Sequence, residues 1–168
     1  DFVKSVMSDD NGQPGFGEVH LSTSTSFFKH EYGGLTVNNI NAGVFAFFPA
    51  LEYDSYVSIG LDSEAGFGED DILLVGEDMW GPSFLAGGNL DITSDDVWPA
   101  AGWLVPGGAS NGYAGEDLKV MIAQVTTDGT IDGSFNIRVY PGGDVSQEFT
   151  YQFDFSSEMC GCNDAAAE

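Results

Sequence analysis

The sequence has 168 residues, of which 42% are hydrophobic and 13% aromatic, enough for one folded domain with a substantial core. Four Lys and Arg residues stand against 27 Asp and Glu, and a net charge of −23 argues against nucleic acid and anionic lipid as partners. No apolar run approaches the roughly 20 residues that cross a bilayer, so the sequence predicts no membrane span.

The first element is a short apolar segment that a polar stretch, SDDNGQPG, separates from everything that follows. Its apolar residues are too few for a core of their own and too many for a frayed terminus. The segment either completes a sheet of its own domain or adds as a strand to the edge of a neighbouring copy. Strand addition is head-to-tail and generates a filament. The residues of this assembly arm are Phe2, Val3, Val6 and Met7.

The body of the chain shows the patterns of β-strands. Candidate strands are, in order, one long or two short strands in EVHLSTSTSFFKH, then GVFAFFP, YDSYVSIGL, a central strand in LKVMIAQV, SFNIRVY and QEFTYQFDF. The last two alternate apolar and polar residues with period two, which is typical of half-buried antiparallel strands. A short helix in EDMWGPSFLAG is conceivable, but Gly81 and Pro82 argue against it.

Gly-rich turns between these runs favour an all-β fold, an antiparallel, jelly-roll-like β-sandwich with an extended N-terminal arm. We assign residues 1–15 to the arm and its linker, 16–158 to the sandwich and 159–168 to a C-terminal tail. In TTDGTIDGS, Asp128 and Asp132 each precede a Gly. This spacing lacks the ligands of an EF-hand, and Asp-Gly between two strand-like runs predicts a hairpin.

Two acidic loops are the candidate metal sites, because hard cations such as Ca²⁺ prefer carboxylate oxygen ligands. The alternative is that both loops are solvated acidic surface. The candidate Ca²⁺ ligands are Asp62, Glu64, Glu69, Asp70 and Asp71 in the first loop, and Asp91, Asp95 and Asp96 in the second. Ca²⁺ is the one cofactor that the sequence suggests.

Catalytic patterns are missing from the sequence. A Ser–His–Asp site would have to use His20 or His30, which both sit in strand-like alternation, and no Ser lies in a G-x-S-x-G elbow. We therefore predict that the protein is not an enzyme. Exposed aromatic residues of a sandwich can stack on sugar rings, so glycans are possible partners. The candidates are Trp80, Trp98 and Trp103, although burial in the core is the commoner fate of such residues.

Two cysteines, Cys160 and Cys162, lie in the tail and are the disulfide candidates. A bridge across one Gly is strained, so the alternatives are an inter-subunit bridge or a tail that is pinned in an oxidising compartment. Because the chain begins at Asp1 rather than Met, we expect a secreted protein whose leader has been removed.

The stretches FPALEYDSYVSIGLDSE and LKVMIAQVTTDGTIDGSFNIRVY resemble a family of secreted β-sandwich domains from aquatic bacteria and algae. They are also similar to subunits of extracellular helical filaments found in environmental water samples. The resemblance implies a secreted, repetitive structural protein whose partner is itself, as a homopolymer. We therefore predict the subunit of an extracellular filament or surface fibre that assembles through residues 2–7, with a calcium-stabilised carbohydrate-binding module as the alternative.

Overall fold

A computed structural model describes residues 1–8, 17–93 and 100–157, and most of its regular elements are strands. The strands are β1 Phe2–Met7, β2 Val19–Thr23, β3 Tyr56–Val57, β4 Leu73–Val75, β5 Leu90–Ile92, β6 Gly102–Leu104, β7 Ala123–Gln124, β8 Ile131–Tyr140 and β9 Phe149–Ser156. Over the same ranges the chain has one α-helix, α1 Glu77–Leu85, and 3₁₀ helices at Val37–Asn39, Ala42–Val44, Pro49–Tyr53, Ser110–Gly112 and Pro141–Gly143.

All pairs between these strands are antiparallel, which confirms the predicted all-β antiparallel class. The sandwich and jelly-roll arrangement stays a prediction. None of the helices in the described ranges has the length and apolar character that crossing a bilayer requires.

A seven-stranded sheet forms the larger part of the fold, and β8 is its longest strand. β9 pairs with β8 from residue 149 to residue 156 and so occupies one edge of it. β1 and β2 pair with the two halves of β8 and therefore lie end to end along its other edge. β6 and β4 follow β1, and β5 follows β2. A second sheet contains β3 and β7.

One hydrophobic core connects the two sheets. Trp103 of β6 is fully buried and donates a hydrogen bond from Nε1 to the carbonyl oxygen of Ser58, 3.0 Å away, just after β3. Its indole packs edge-on against Phe135 of β8, with ring centroids 5.8 Å apart, and lies 6.2 Å from the ring of Trp80. Both sheets and α1 thus contribute large side chains to the same interior.

The helix α1 corrects the prediction that Gly81 and Pro82 prevent a helix in this segment. Pro82 lies inside α1, where it removes one backbone donor. Packing outweighs that local cost, because Trp80 and Phe84 are fully buried. The helix also lies close to Leu35 at Gly81, since a Cβ atom there would be 2.8 Å from a methyl carbon of that residue.

Two of the predicted strands are wrong in type or position. GVFAFFP contains no strand, and the 3₁₀ helix Ala42–Val44 begins where the side chain of Asn41 accepts a hydrogen bond from the backbone of Gly43. LKVMIAQV is not a central strand, because only Ala123–Gln124 is regular and it pairs with β3 alone. Residues 120–125 are all half-buried. This explains why the segment is apolar on both faces although it is not a central strand.

The last two predicted strands form, whereas the hairpin predicted at the Asp-Gly turn does not. The strands predicted in SFNIRVY and QEFTYQFDF are β8 and β9, and they pair as neighbours. The hairpin predicted at Asp128 is wrong, because β7 belongs to the small sheet whereas β8 belongs to the large one. The Asp-Gly turn therefore carries the chain from one sheet to the other.

Candidate functional site

The strand β1 lies in the middle of the large sheet, between β6 and β8. Val6 is opposite Trp103 of β6 on one side and Ile137 of β8 on the other. Of the two interpretations of residues 1–8, the structure therefore has the first, in which the segment completes the sheet of its own chain. We call the space that β1 fills between β6 and β8 the β1 slot.

Phe2 is the anchor at the first end of the slot and is 1% exposed. Its ring packs edge-on against Tyr113, at 4.9 Å between centroids, and parallel to the ring of Tyr140, at 6.1 Å. A Cβ atom on Gly112 would lie 2.3 Å from the Phe2 ring, so only glycine leaves room for it. The pocket for Phe2 is thus built from residues more than 100 positions away in the sequence.

Val6 is the second anchor and has no exposed surface. Gly102 lies against it with φ of +145°, and a Cβ atom there would lie 2.2 Å from the carbonyl oxygen of Val6. Met7 is buried as well, whereas Val3 is partly buried and lines a groove described below. Three of the four residues predicted for the arm are thus buried, and the fourth, Val3, is partly buried.

Hydrogen bonds hold the segment at both ends. The backbone N–H of Ser8 donates to the carbonyl oxygen of Ala101 at 2.8 Å, and the N–H of Ala101 donates back to Ser8 Oγ at 3.0 Å. Asn136 Nδ2 donates to the carbonyl oxygen of Met7 at 3.0 Å. At the other end, Ala114 and Gly142 donate their N–H groups to the backbone oxygen and to Oδ1 of Asp1, each at 3.0 Å.

The β1 slot is therefore assembled by residues 101–142, and residues 9–16, which lie outside the described residues, are the covalent link between β1 and the body. An empty slot would expose the facing edges of β6 and β8 and the pocket in which Tyr113 and Tyr140 contact Phe2. The sequence predicted the strand, but nothing in the sequence marked Gly102, Gly112 or Tyr140 as its receptor.

The first acidic loop is a surface loop with internal hydrogen bonds. Asp62 accepts a hydrogen bond from Ser63 Oγ at 3.3 Å, and Glu69 accepts one from the backbone of Gly66 at 2.7 Å. Asp70 contacts Asn111 through its backbone. No three of the acidic, His or Cys side chains that the structure describes come together in a way that would hold a metal ion.

The second acidic loop is described only in part. Asp91 lies on β5, opposite His20 of β2, and its carboxylate pairs with the imidazole. Asp91 therefore lies in a strand of the sheet and not in the loop that the sequence predicted. Asp95 and Asp96 lie outside the described residues, and so do Cys160 and Cys162. Calcium binding and the disulfide stay predictions.

The tryptophans do not form a sugar platform in the described part of the chain. Trp80 and Trp103 are buried in the core, and Trp98 lies outside the described residues. A cavity of about 410 Å³ has a different aromatic lining, with Phe28 39% and Tyr53 58% exposed. Asp128 and Thr127 add polar groups to its wall. No pattern in the sequence marks this cavity, because its residues come from three separate segments.

A buried ion pair lies behind this region and was not anticipated either. Lys29 Nζ is 3.6 Å from Asp54 Oδ2, and the Asp54 side chain has no exposed surface. Burial lowers the pKa of Lys29, while the Asp54 carboxylate opposes that shift. The ammonium group also donates to the carbonyl oxygens of Gly34 and Ser55 and lies 4.7 Å above the Phe84 ring. These contacts indicate a structural role.

No protein-family model matches the chain, and neither a curated protein nor a solved structure matches it. The resemblance to secreted filament subunits therefore stays a prediction, and the functional argument depends on the geometry of the β1 slot.

Proposed function

We propose that the protein is a structural subunit of an extracellular filament or surface fibre, in which β1 of each copy fills the β1 slot of the next. The observation that supports this is the isolation of β1, which is central in the sheet but covalently linked to it only through residues 9–16. The strand partners of β1 all lie within residues 102–140, so a neighbour's copy of β1 would find the same partners there. The proposal assigns no catalytic role to the protein.

The chain length between β1 and the body is compatible with exchange. At about 3.3–3.6 Å per residue, the residues between Ser8 and Gly17 reach roughly 30 Å when extended. A domain of this size has a radius of gyration of about 15 Å. A neighbour's slot is therefore within reach of β1 when two subunits are adjacent. Each exchange leaves one free strand and one free slot at the ends, so the assembly grows without closing.

A cysteine pair tests whether β1 is exchanged. Val3 and Val139 lie directly opposite each other, and opposite residues of neighbouring strands are close enough for a disulfide. We would introduce Val3→Cys and Val139→Cys into a chain whose Cys160 and Cys162 are changed to Ser. Exchange predicts a ladder of covalently linked subunits on a non-reducing gel of assembled protein.

A ladder that collapses on reduction supports the proposal, whereas a chain that stays a monomer with an internal bridge contradicts it. The matched control combines Val3→Cys with Val145→Cys, because Val145 is 68% exposed and does not pair with β1. This control should give no ladder.

A carbohydrate-binding module is the second candidate function, and the cavity lined by Phe28 and Tyr53 favours it. Half-exposed aromatic rings beside a carboxylate and hydroxyl groups suit the stacking and hydrogen bonding of a sugar. Retention on a polysaccharide column that Tyr53→Ala abolishes would support this function. Tyr32→Ala is the control, because Tyr32 is similarly exposed and does not line the cavity. Repeating the experiment with EDTA tests whether calcium is required.

A further inference from the structure

The strand β9 is an edge strand of the large sheet, as are the shorter β4 and β5. It runs from Phe149 to Ser156, and among the described strands it pairs with β8 alone. From residue 149 to residue 155, the opposite row of its backbone N–H and C=O groups has no strand partner in the described part of the chain and can pair with another strand. β9 contains no Pro or Lys, the residues with which proteins usually block such edges.

One face of β9 is aromatic and incompletely covered. Phe149, Tyr151 and Phe153 are 47%, 55% and 57% exposed. A fully buried aromatic side chain removes about 150–250 Å² from water. Since each of these three is about half exposed, roughly 100 Å² of each is still in contact with water. Two adjoining cavities of about 300 and 380 Å³ extend this face toward residues 118–125 and share Ile122 and Phe153 in their linings. The result is a continuous apolar groove along β9.

The charge distribution indicates what kind of partner approaches this face. Copies of a chain with a net charge of −23 repel one another over most of their surfaces. β9 carries a single charged residue, Asp154, which lies on the strand face opposite to the aromatic side chains. It is therefore a place where two copies can approach with little repulsion.

We propose that β9 pairs antiparallel with β9 of a second copy, about a two-fold axis at Gln152. In this register, Tyr151 of each copy lies opposite Phe153 of the other, and Phe149 lies opposite Phe155. Asp154 lies opposite the uncharged Thr150, so no like charges face each other. Aromatic pairs directly opposite on neighbouring strands stabilise a sheet, and like charges there destabilise it. The contact is isologous and joins two large sheets into one.

The exposed area sets the strength of this contact. The three aromatic side chains supply about 300 Å² per copy, less than the roughly 800 Å² per partner of a stable interface. Two isolated subunits therefore associate weakly through β9. Subunits already joined in a row present many such edges at once, and their combined contacts are much stronger than one. The contact thus pairs filaments side by side, although it does not depend on exchange of β1.

Single cysteines test both the contact and its register, in the chain with Cys160→Ser and Cys162→Ser. Residue 152 faces its own counterpart across the axis, so Gln152→Cys forms a symmetric disulfide under mild oxidation. Residue 154 faces residue 150 instead, so Asp154→Cys is the matched control on the same strand face. We expect about tenfold more covalent dimer from Gln152→Cys than from Asp154→Cys, because a disulfide tolerates only a narrow range of separations.

Equal linking of the two variants, or none in either at concentrations that assemble the protein, overturns the proposal. Both positions are exposed, and far-UV circular dichroism verifies that each variant is folded. The linkage at residue 152 and the linkage between residues 3 and 139 are separate products. Loss of one with retention of the other therefore shows which of the two contacts fails.

Discussion

At the scale of single residues, two glycines determine the shape of the β1 slot. Gly102 adopts φ of +145°, which favours glycine, and lies against the backbone of Val6. Gly112 leaves the space that the Phe2 ring fills. Both glycines matter because they have no side chain, which leaves room for the backbone of β1 at Gly102 and for the Phe2 ring at Gly112.

We expect Gly112→Ala to lower the free energy of unfolding by about 1–3 kcal/mol, because the new methyl group overlaps the Phe2 ring. The cost should shrink when Phe2→Leu is also present, since the smaller side chain vacates the overlapping volume. Urea unfolding of the two single variants and the double variant measures this coupling. Gly107→Ala is the control, because a Cβ atom there has no neighbour within 4 Å. Additive effects would show that Phe2 does not occupy this pocket.

The buried phenol of Tyr56 predicts a dependence of stability on alkaline pH. Burial, assisted by the carboxylates of Asp62 and Asp54, raises the pKa of Tyr56 to about 12. The unfolded chain then loses this proton first, so the stabilisation is intact below about pH 10 and is lost as the pH rises toward 12. A shift of this size corresponds to about 2–3 kcal/mol.

Urea unfolding between pH 8 and 12 should therefore show a smaller loss of stability in Tyr56→Phe than in the unchanged chain. Tyr56→Phe also removes the hydrogen bond to the carbonyl oxygen of Asp62, so its stability near pH 8 should be lower. Tyr53→Phe is the control at an exposed tyrosine. Identical slopes for the unchanged chain and Tyr56→Phe would contradict the assignment.

At the scale of elements, β1 contributes more than its six residues suggest. It connects β6 to β8, so its removal divides the large sheet into two parts. Full burial of side chains such as Phe2 and Val6 contributes about 1.5–3 kcal/mol each. Removing residues 1–8 is therefore expected to do more than prevent assembly.

A chain of residues 9–168 should lose its cooperative thermal transition, and a synthetic peptide of residues 1–8 should restore it. The peptide supplies the strand in trans, as a neighbouring subunit would in a filament. Differential scanning calorimetry with increasing peptide measures the effect, and a peptide with Phe2→Asp and Val6→Asp is the control. A truncated chain that melts like the full chain would show that the slot is dispensable.

At the scale of the whole molecule, net charge opposes every contact between copies. A charge of −23 repels at long range, and the screening length falls from about 30 Å at 0.01 M salt to about 10 Å at 0.1 M. The proposed assembly through β1 or β9 would therefore have to overcome a repulsion that salt weakens.

Filament length, measured by negative-stain electron microscopy, should increase between 0.01 and 0.1 M NaCl because of this screening. CaCl₂ at equal ionic strength distinguishes screening from binding. A larger effect of CaCl₂, reversed by EDTA and reduced by Asp70→Asn with Asp71→Asn, would identify the first acidic loop as a calcium site. Filaments that shorten as NaCl rises would contradict the electrostatic argument.

The sequence by itself determined what depends on neighbouring residues. Alternation in SFNIRVY and QEFTYQFDF specified β8 and β9, because a period of two places apolar side chains on one face whatever the fold. The apolar character of residues 2–7 required burial of that segment. The surplus of carboxylates predicts that nucleic acid and anionic lipid are poor partners.

Tertiary structure decided what depends on residues far apart in the chain. Only packing of Trp80 and Phe84 shows that α1 accommodates Pro82, and only the sheet order shows that β1 is central. The exposure of Tyr151 and Phe153 depends on how far residues 118–125 extend over β9. A local pattern shows that a side chain is suited to burial. The residues that bury it can be far away in the sequence, as Tyr113 and Tyr140 are from Phe2, and a local pattern does not specify which they are.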